Sequence, residues 1–349
     1  MRPEQWEIFK KAARLEKLEK IPLALIIDSP WIPGYLGLNH LDYYLDPELW
    51  FQSNLKIHRE FPGIIFVPSW WMEYGMAAEP SALGARIKFW PNNTPGADHT
   101  LCRIEDLEKF PPYEVESDAF MGLTLHRIKM QKQRILDQGE ILPLVTSRGP
   151  LCTAAFVRGT TDFMMDLVEE PEWARKLIDL CARLVIDWLK AQAKIIGPTV
   201  EGIFILDDIV GFISEEHYQE FAHPFLKRIC DAFPKDWVKI YHNDASIAVC
   251  LEHLPDCGFN VLNWGKQTDI AEVKARVGHR MCLMGNVNPL EVGVRGTPQE
   301  VRRATLDVLE KSGGQGLILS LGGGVSPGMP RQNILAMLEA LAAFNSPAK

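Results

Sequence analysis

Short, continuous apolar runs alternate along the chain with stretches of helical periodicity. The runs at 22–28, 63–68, 141–146, 202–206, 238–241, 259–262, 281–284 and 316–320 have the length and continuity of strands buried on both faces. Apolar positions recur at three- and four-residue spacing over 4–19, 46–60, 118–137, 172–196, 214–233, 269–277, 298–312 and 330–344, with a shorter helix at 246–254. Strands separated by helical crossovers require a largely parallel sheet. Eight such units predict an α/β protein built as a (βα)8 TIM barrel. An open doubly wound sheet is the alternative, but no G-x-G-x-x-G follows the first strand to support its dinucleotide-binding form. One stretch breaks the alternation. Residues 69–112 are rich in Pro, Gly and Asn, hold Trp70, Trp71, Tyr74 and Trp90, and read as a functional insertion after the second strand. The expected organisation is a single barrel domain over residues 1–349 with this irregular insertion.

Composition narrows the function classes. Of the 349 residues, 47% are hydrophobic and 23% charged, a balance that builds a large core without staples. Net charge is −8 with both signs interspersed, and no basic cluster alternates with aromatics, so no nucleic acid is expected as a partner. No apolar run is long enough to cross a membrane, and the first residues lack the apolar core of a signal peptide. The seven cysteines are scattered without a C-x-x-C pair, which speaks against a zinc ribbon or a disulfide framework and for a reducing, cytoplasmic setting.

A barrel carries its chemistry where strands end and helices begin. The ends expected here hold Asp28, Ser69-Trp70-Trp71, Ser147-Arg148, Asp207-Asp208, His242-Asn243-Asp244, Asn263-Trp264, Asn286 with Asn288, and Gly322-Gly323-Gly324. His242 and Asp244 lie on one face of their strand with Val238 and Ile240; imidazole and carboxylate together can ligate zinc, or His242 is a hydrogen-bonded histidine and Asp244 caps a helix. Asp207 and Asp208 point to opposite faces, so one can enter the mouth as an acid or ligand while the other anchors its loop. The aromatic segment 70–76 can wall a pocket for a flat substrate, with Glu73 as an acid beside it, or pack the insertion onto the barrel. Arg148 can pair with a substrate carboxylate or phosphate, or form an internal salt bridge. The candidate catalytic residues are therefore His242, Asp208 and Glu73. Trp70, Trp71, Tyr74, Arg148, Asp207, Asn243, Trp264 and Asn286 are the candidate substrate contacts, and His242 with Asp244 the candidate metal ligands.

Several segments together resemble the uroporphyrinogen decarboxylase superfamily. They are Glu79-Pro-Ser-Ala-Leu-Gly84, the stretch from Leu206 through Asp207-Asp208 to Arg228, the strand-end His242, Gly285-Asn-Val-Asn-Pro-Leu290 and Leu319-Ser-Leu-Gly-Gly-Gly-Val-Ser-Pro-Gly-Met-Pro330. The resemblance implies a (βα)8 barrel and brings two activities: decarboxylation of a porphyrinogen and corrinoid-dependent methyl transfer. The decarboxylases carry an Arg-rich segment of the type Met-Arg-Gln-Ala-Gly-Arg-Tyr. The corresponding residues 25–34 here contain no arginine, so a substrate with eight carboxylates would lack its counter-charges.

The family's methylcorrinoid:thiol methyltransferases hold zinc with a His-x-Cys pair and a Cys in a Gly-Cys-Gly turn. This chain has His242, then Asp244 and Gly323 in the cysteine positions. A His/carboxylate site is harder than a thiolate site and better matched to an ether, alcohol or amine. The expectation is a methyltransferase that moves a methyl group from a small methoxylated, aromatic substrate to the cobalt of a separate corrinoid-binding protein. Zinc is the expected metal, and a homodimer is compatible with this picture. The alternatives are methylcorrinoid:thiol transfer, decarboxylation, and a catalytically silent binding barrel.

Overall fold

The computed structural model describes residues 1–27, 29–110 and 112–346; Asp28, expected at the end of the first strand, lies outside the described residues. The strands are β1 (Ala24–Ile26), β2 (Ile65–Val67), β3 (Ile87–Trp90), β4 (Asn93–Ala97), β5 (Leu144–Arg148), β6 (Gly202–Leu206), β7 (Val238–Asn243), β8 (Val261–Trp264), β9 (Cys282–Val287) and β10 (Leu317–Leu321). All but β3 and β4, an antiparallel hairpin inside the insertion, fall on the eight apolar runs.

Strands β5 to β10 form one continuous parallel sheet, and β1 pairs with β2. Parallel bridges Leu23–Leu319 and Ile26–Gly324 join β1 to β10. The seam between β2 and β5 closes through the segments flanking the strands rather than by strand pairing. Glu140 accepts from Trp70 Nε1 at 2.7 Å and stands 2.7 Å from His58 Nδ1, while Ile141 N–H donates to the Met1 carbonyl at 2.7 Å. The eight strands thus enclose a (βα)8 barrel.

Alternation along each strand sorts the core into two. Ala24, Ile26, Val67, Leu144, Phe204, Val238, Ile240, Val261, Met284 and Ile318 fill the barrel interior. Their outward-facing neighbours pack under the surrounding helices. The helix Pro3–Ala13 adds Trp6 and Phe9 to the interior group, and Trp6 Nε1 donates to Glu201, just ahead of β6, at 2.6 Å. This helix therefore plugs the N-terminal end of the barrel and leaves the opposite end as the mouth. Among the described residues no helix is long and apolar enough to cross a membrane.

Differences from the periodic reading have local causes. The stretch 246–254 is mostly turns, with a helix only at Leu254–Cys257. The helix expected over 214–233 is broken into Glu215–His217, a π-helical turn Tyr218–Ala222 and His223–Asp231. Pro224 accounts for the break, because it has no N–H to donate. The insertion contains the helix Ala78–Ala82, the hairpin and a 3-10 helix Ile104–Lys109. It is tied down by Arg158, whose Nη1 donates to the carbonyls of Leu101 (3.1 Å) and Cys102 (2.6 Å).

Candidate active site

Register builds the site. Arg148 is paired with Leu206, Leu206 with His242, and His242 with Asn263. These four residues form one level at the C-terminal ends of adjacent strands. Each sits two residues beyond an inward position, so all four point into the mouth. Phe204, Ile240 and Val261 lie directly below and give the level an apolar floor.

His242 is 4% exposed. Its Nδ1 lies 2.7 Å from Asn263 Oδ1. The Asn263 amide cannot be reversed, because its Nδ2 donates to the carbonyls of Met284 (2.5 Å) and Leu321 (3.0 Å). Asn263 therefore always presents an oxygen, and Nδ1 of His242 always carries a proton. The variable proton is the one on Nε2, which lies 3.5 Å from Asp244 Oδ1 at the open face. Burial works against a charged ring, but the Asp244 carboxylate outweighs it, with Asp208 and Asn263 assisting, and His242 is pushed up to about 9. At neutral pH the mouth thus holds an imidazolium with one exchangeable proton facing outward.

Asp244 is placed by its backbone and by glycine. Its N–H donates to Asp208 Oδ1 at 2.7 Å, so Asp208 holds the turn that presents Asp244. Across the mouth, Gly323 sits at φ +117, and a Cβ there would come within 2.4 Å of Asp244 Oδ1. The carboxylate occupies the space a side chain at 323 would need. Burial tends to raise the Asp244 carboxyl, but His242 and then Arg148 draw it below its ordinary value.

Substitution Asp244→Asn removes the largest charge holding the proton on His242, leaving burial to dominate. We expect the His242 ring to titrate near 9 in the native protein and clearly lower in the variant, read by ring-resolved NMR. The linked stability has a definite sign: a raised histidine value stabilises fully below about 6.5 and is lost as pH rises toward 9.

A second group lies beside the first. Ser69 (φ +76) and Trp70 (φ +50) follow β2 in the left-handed region, at a cost of roughly 1–2 kcal/mol per residue. This turn sends consecutive tryptophans to opposite sides. Trp70 is buried in the outer layer against Phe51 and His58. Trp71 stays half-buried over the interior, 6.2 Å from Phe204, with the Arg148 guanidinium 5.5 Å above its ring. Glu73 Oε1 accepts from the N–H (3.1 Å) and hydroxyl (2.7 Å) of Ser29, and Oε2 lies 3.8 Å from Arg148 Nη2. Burial raises the Glu73 carboxyl, opposed first by Arg148 and then by the Ser29 bonds. Glu79 fixes the end of β5, accepting from Ser147 Oγ and Arg148 N at 2.9 Å each.

Other expected contacts are committed elsewhere. Asp207 is fully buried and accepts from Leu151 N (3.1 Å) and Cys152 N (2.8 Å), capping the helix Pro150–Arg158. Asn243 bridges the Asp207 carbonyl and Ala245 N. Trp264 donates to the Thr268 carbonyl at 2.9 Å, as does Asn286 at 3.2 Å. Tyr74 stacks on Tyr44 and packs at a tilt against Phe120 under Arg127, anchoring the insertion. Asn263, absent from the expected site set, is the residue that orients His242; its inward position two residues after Val261 was the available signal.

The family model described as uroporphyrinogen decarboxylase (URO-D) matches residues 7–344. The chain belongs to that family. Among its relatives are a uroporphyrinogen decarboxylase of Pseudoalteromonas translucida, 24% identical over 279 residues and covering 76% of each chain. Another is the methylcobamide:CoM methyltransferase MtbA of Methanosarcina mazei, 27% identical over 245 residues and 69% of each. A solved methyltransferase from Methanosarcina mazei superposes with TM-score 0.82 at 19% identity over 97% of this chain and 98% of that one. A B12-independent methionine synthase from Shewanella sp. W3-18-1 gives 0.60 at 11% identity over 93% and 97%. These likenesses give the fold.

The positions that carry zinc ligands in the family's thiol methyltransferases converge here, with Asp244 against both His242 and Gly323. Among the described residues, however, the donor set is His242 and Asp244. A catalytic zinc site takes three protein ligands, and among the described residues no three His, Cys, Asp or Glu side chains gather to hold a metal ion. The described residues do not fit that cage. What they do form is an acid: a buried imidazolium, fixed in orientation and paired with a carboxylate.

Proposed function

We propose that the protein is a corrinoid-dependent methyltransferase that takes the methyl group from a small methoxylated aromatic compound. The observation that carries this reading is the buried His242 ring at the mouth, fixed by Asn263 through Nδ1 and facing Asp244 through Nε2, an arrangement that favours the protonated ring. Breaking an aryl methyl ether leaves an oxygen that must be stabilised as the bond opens, and a fixed proton donor at that point does so. The methyl acceptor is a reduced corrinoid on a partner protein, which meets the open end of the barrel. His242 gives its Nε2 proton to the phenolate oxygen as the methyl–oxygen bond breaks and the methyl group passes to the corrinoid, and Asp244, which favours the charged ring, promotes its reprotonation from solvent afterwards. Asn263 keeps the ring's orientation unchanged through the cycle. Trp71, backed by Phe204, takes the ring side of the substrate, and Glu73 and Asp208 act from beside it, the first through Arg148 and the second through Asp244.

The methyl-transfer reading draws support from the name of the relative MtbA, a methylcobamide:CoM methyltransferase. Transfer in the other direction, to a thiol, is the second reading on the same ground; it requires a zinc site and predicts stoichiometric zinc that is lost in His242→Ala. Decarboxylation of a polycarboxylate is disfavoured by the electrostatics, because Arg148 and Lys239 are the only Arg or Lys residues on the eight described barrel strands. Lys239 faces outward, donating to the Cys230 carbonyl at 2.8 Å. The test is to give the protein a reduced corrinoid protein and a panel of methoxyaromatics. Methylated corrinoid is expected with at least one of them, and none with any would overturn the reading.

A further inference from the structure

Arg148 is 9% exposed, and among the described residues its guanidinium donates no hydrogen bond. Its nearest carboxylate oxygen, on Glu73, is 3.8 Å away, beyond hydrogen-bond length. Glu73 spends its other oxygen on Ser29, and the Arg148 backbone, not its side chain, holds Glu79. The guanidinium nitrogens keep some contact with solvent, so the fork is open to an incoming ligand, and with no acceptor among the described residues it gains most where that ligand supplies the oxygens. The planar fork matches a carboxylate, and the Trp71 indole at 5.5 Å backs its flat face.

We propose that Arg148, backed by Trp71, is the receptor for a single carboxylate on the substrate, so that the substrate is an aromatic monoanion held with its reacting end toward His242. The span agrees with this. Arg148 and His242 stand at one level two strands apart, about 10 Å between backbones, the scale of one substituted ring with a hydrogen bond at each end. The singular is fixed by the strands themselves, since Arg148 is the only inward Arg or Lys among the described barrel strands. The inference rests on the methyl-transfer reading for the choice of probe and for what happens at the His242 end, not for the anion site itself.

The test is calorimetric binding of 4-methoxybenzoate, the neutral 4-methoxybenzyl alcohol and a methoxybenzene dicarboxylate to the native protein and to Arg148→Gln and Arg148→Lys. The monocarboxylate should bind about 10- to 100-fold tighter than the alcohol, and the dicarboxylate no tighter than the monocarboxylate. Arg148→Gln should remove the preference while alcohol binding stays within about 3-fold, which also certifies the fold; Arg148→Lys should keep part of it. Equal affinity for acid and alcohol, an undiminished preference in Arg148→Gln, tighter binding of the dicarboxylate, or no binding of the carboxylate at all overturns the proposal. Because the readout needs no corrinoid, the two claims fail separately. An anion preference without methyl transfer from any methoxy compound sinks only the reaction, and methyl transfer without the preference sinks only the receptor.

Discussion

Replacing His242 by alanine is expected to slow methyl transfer by about 10²- to 10⁴-fold, the usual worth of a positioned general acid. The size of the loss should depend on the leaving group. With Nε2–H present, a methyl ether of a weakly acidic phenol reacts because the oxygen is protonated as it departs. Without it, the phenolate must leave as an anion, and the rate should follow the acidity of the phenol steeply. A methyl ether of a nitrophenol, whose phenolate is stable, should lose far less than one of an alkyl phenol. Damage to packing alone would slow both alike, so the slope of rate against phenol acidity separates the two. Gradual loss of native activity as pH rises past about 9, where His242 gives up its proton, is the companion expectation.

The second large effect concerns stability. Asp207→Ala is expected to destabilise the fold by about 3–5 kcal/mol, combining loss of a helix cap with two buried N–H groups left unsatisfied. Both Asp207 oxygens serve the first turn of the helix Pro150–Arg158. Burial pushes the carboxyl up to about 7 against the pull of those two N–H bonds. The packing there leaves no slack, since a Cβ on Gly149 would meet Asp207 Oδ2 at 2.2 Å. Urea unfolding of Asp207→Ala and Asp208→Ala compares neighbours with different duties. Asp208 should change stability little and activity more, because it holds Asp244 rather than a helix. If Asp207→Ala unfolds like the native chain but raises KM, the residue belongs to the substrate site after all.

This pair also marks how far the sequence could be read. Alternation alone assigns Asp207 and Asp208 to opposite faces, and the structure agrees. It cannot say which of the two enters the mouth, because that depends on where the helix after β5 begins. The helices Pro150–Arg158 and Thr160–Glu169 were themselves invisible to periodicity. The first is apolar on nearly every face and buried, so no polar stripe sets it off. The barrel was legible because its eight strands are buried on both faces and read as unbroken apolar runs. His242 was legible because it interrupts such a run on the inward phase.

The two tryptophans show the limit from the other side. Alternation from Val67 already puts Trp71 inward and Trp70 outward, and the chain keeps that sorting through a left-handed backbone at Ser69 and Trp70 that alternation does not foresee. Asn263 and Arg148 differ in a similar way. Both are inward strand-end residues, but what matters about each is a partner: two carbonyls for Asn263, and the lack of an acceptor among the described residues for Arg148. Neither is written in local sequence.

The measurement closest to the centre of this account is a single turnover with a methoxyaromatic donor and the reduced corrinoid protein, quantifying phenol and methylated corrinoid together. The account predicts that the two appear one to one, that neither forms without the partner, and that His242→Ala suppresses both. Absence of phenol with every donor, or methylation of a thiol from methylated corrinoid in its place, would contradict it.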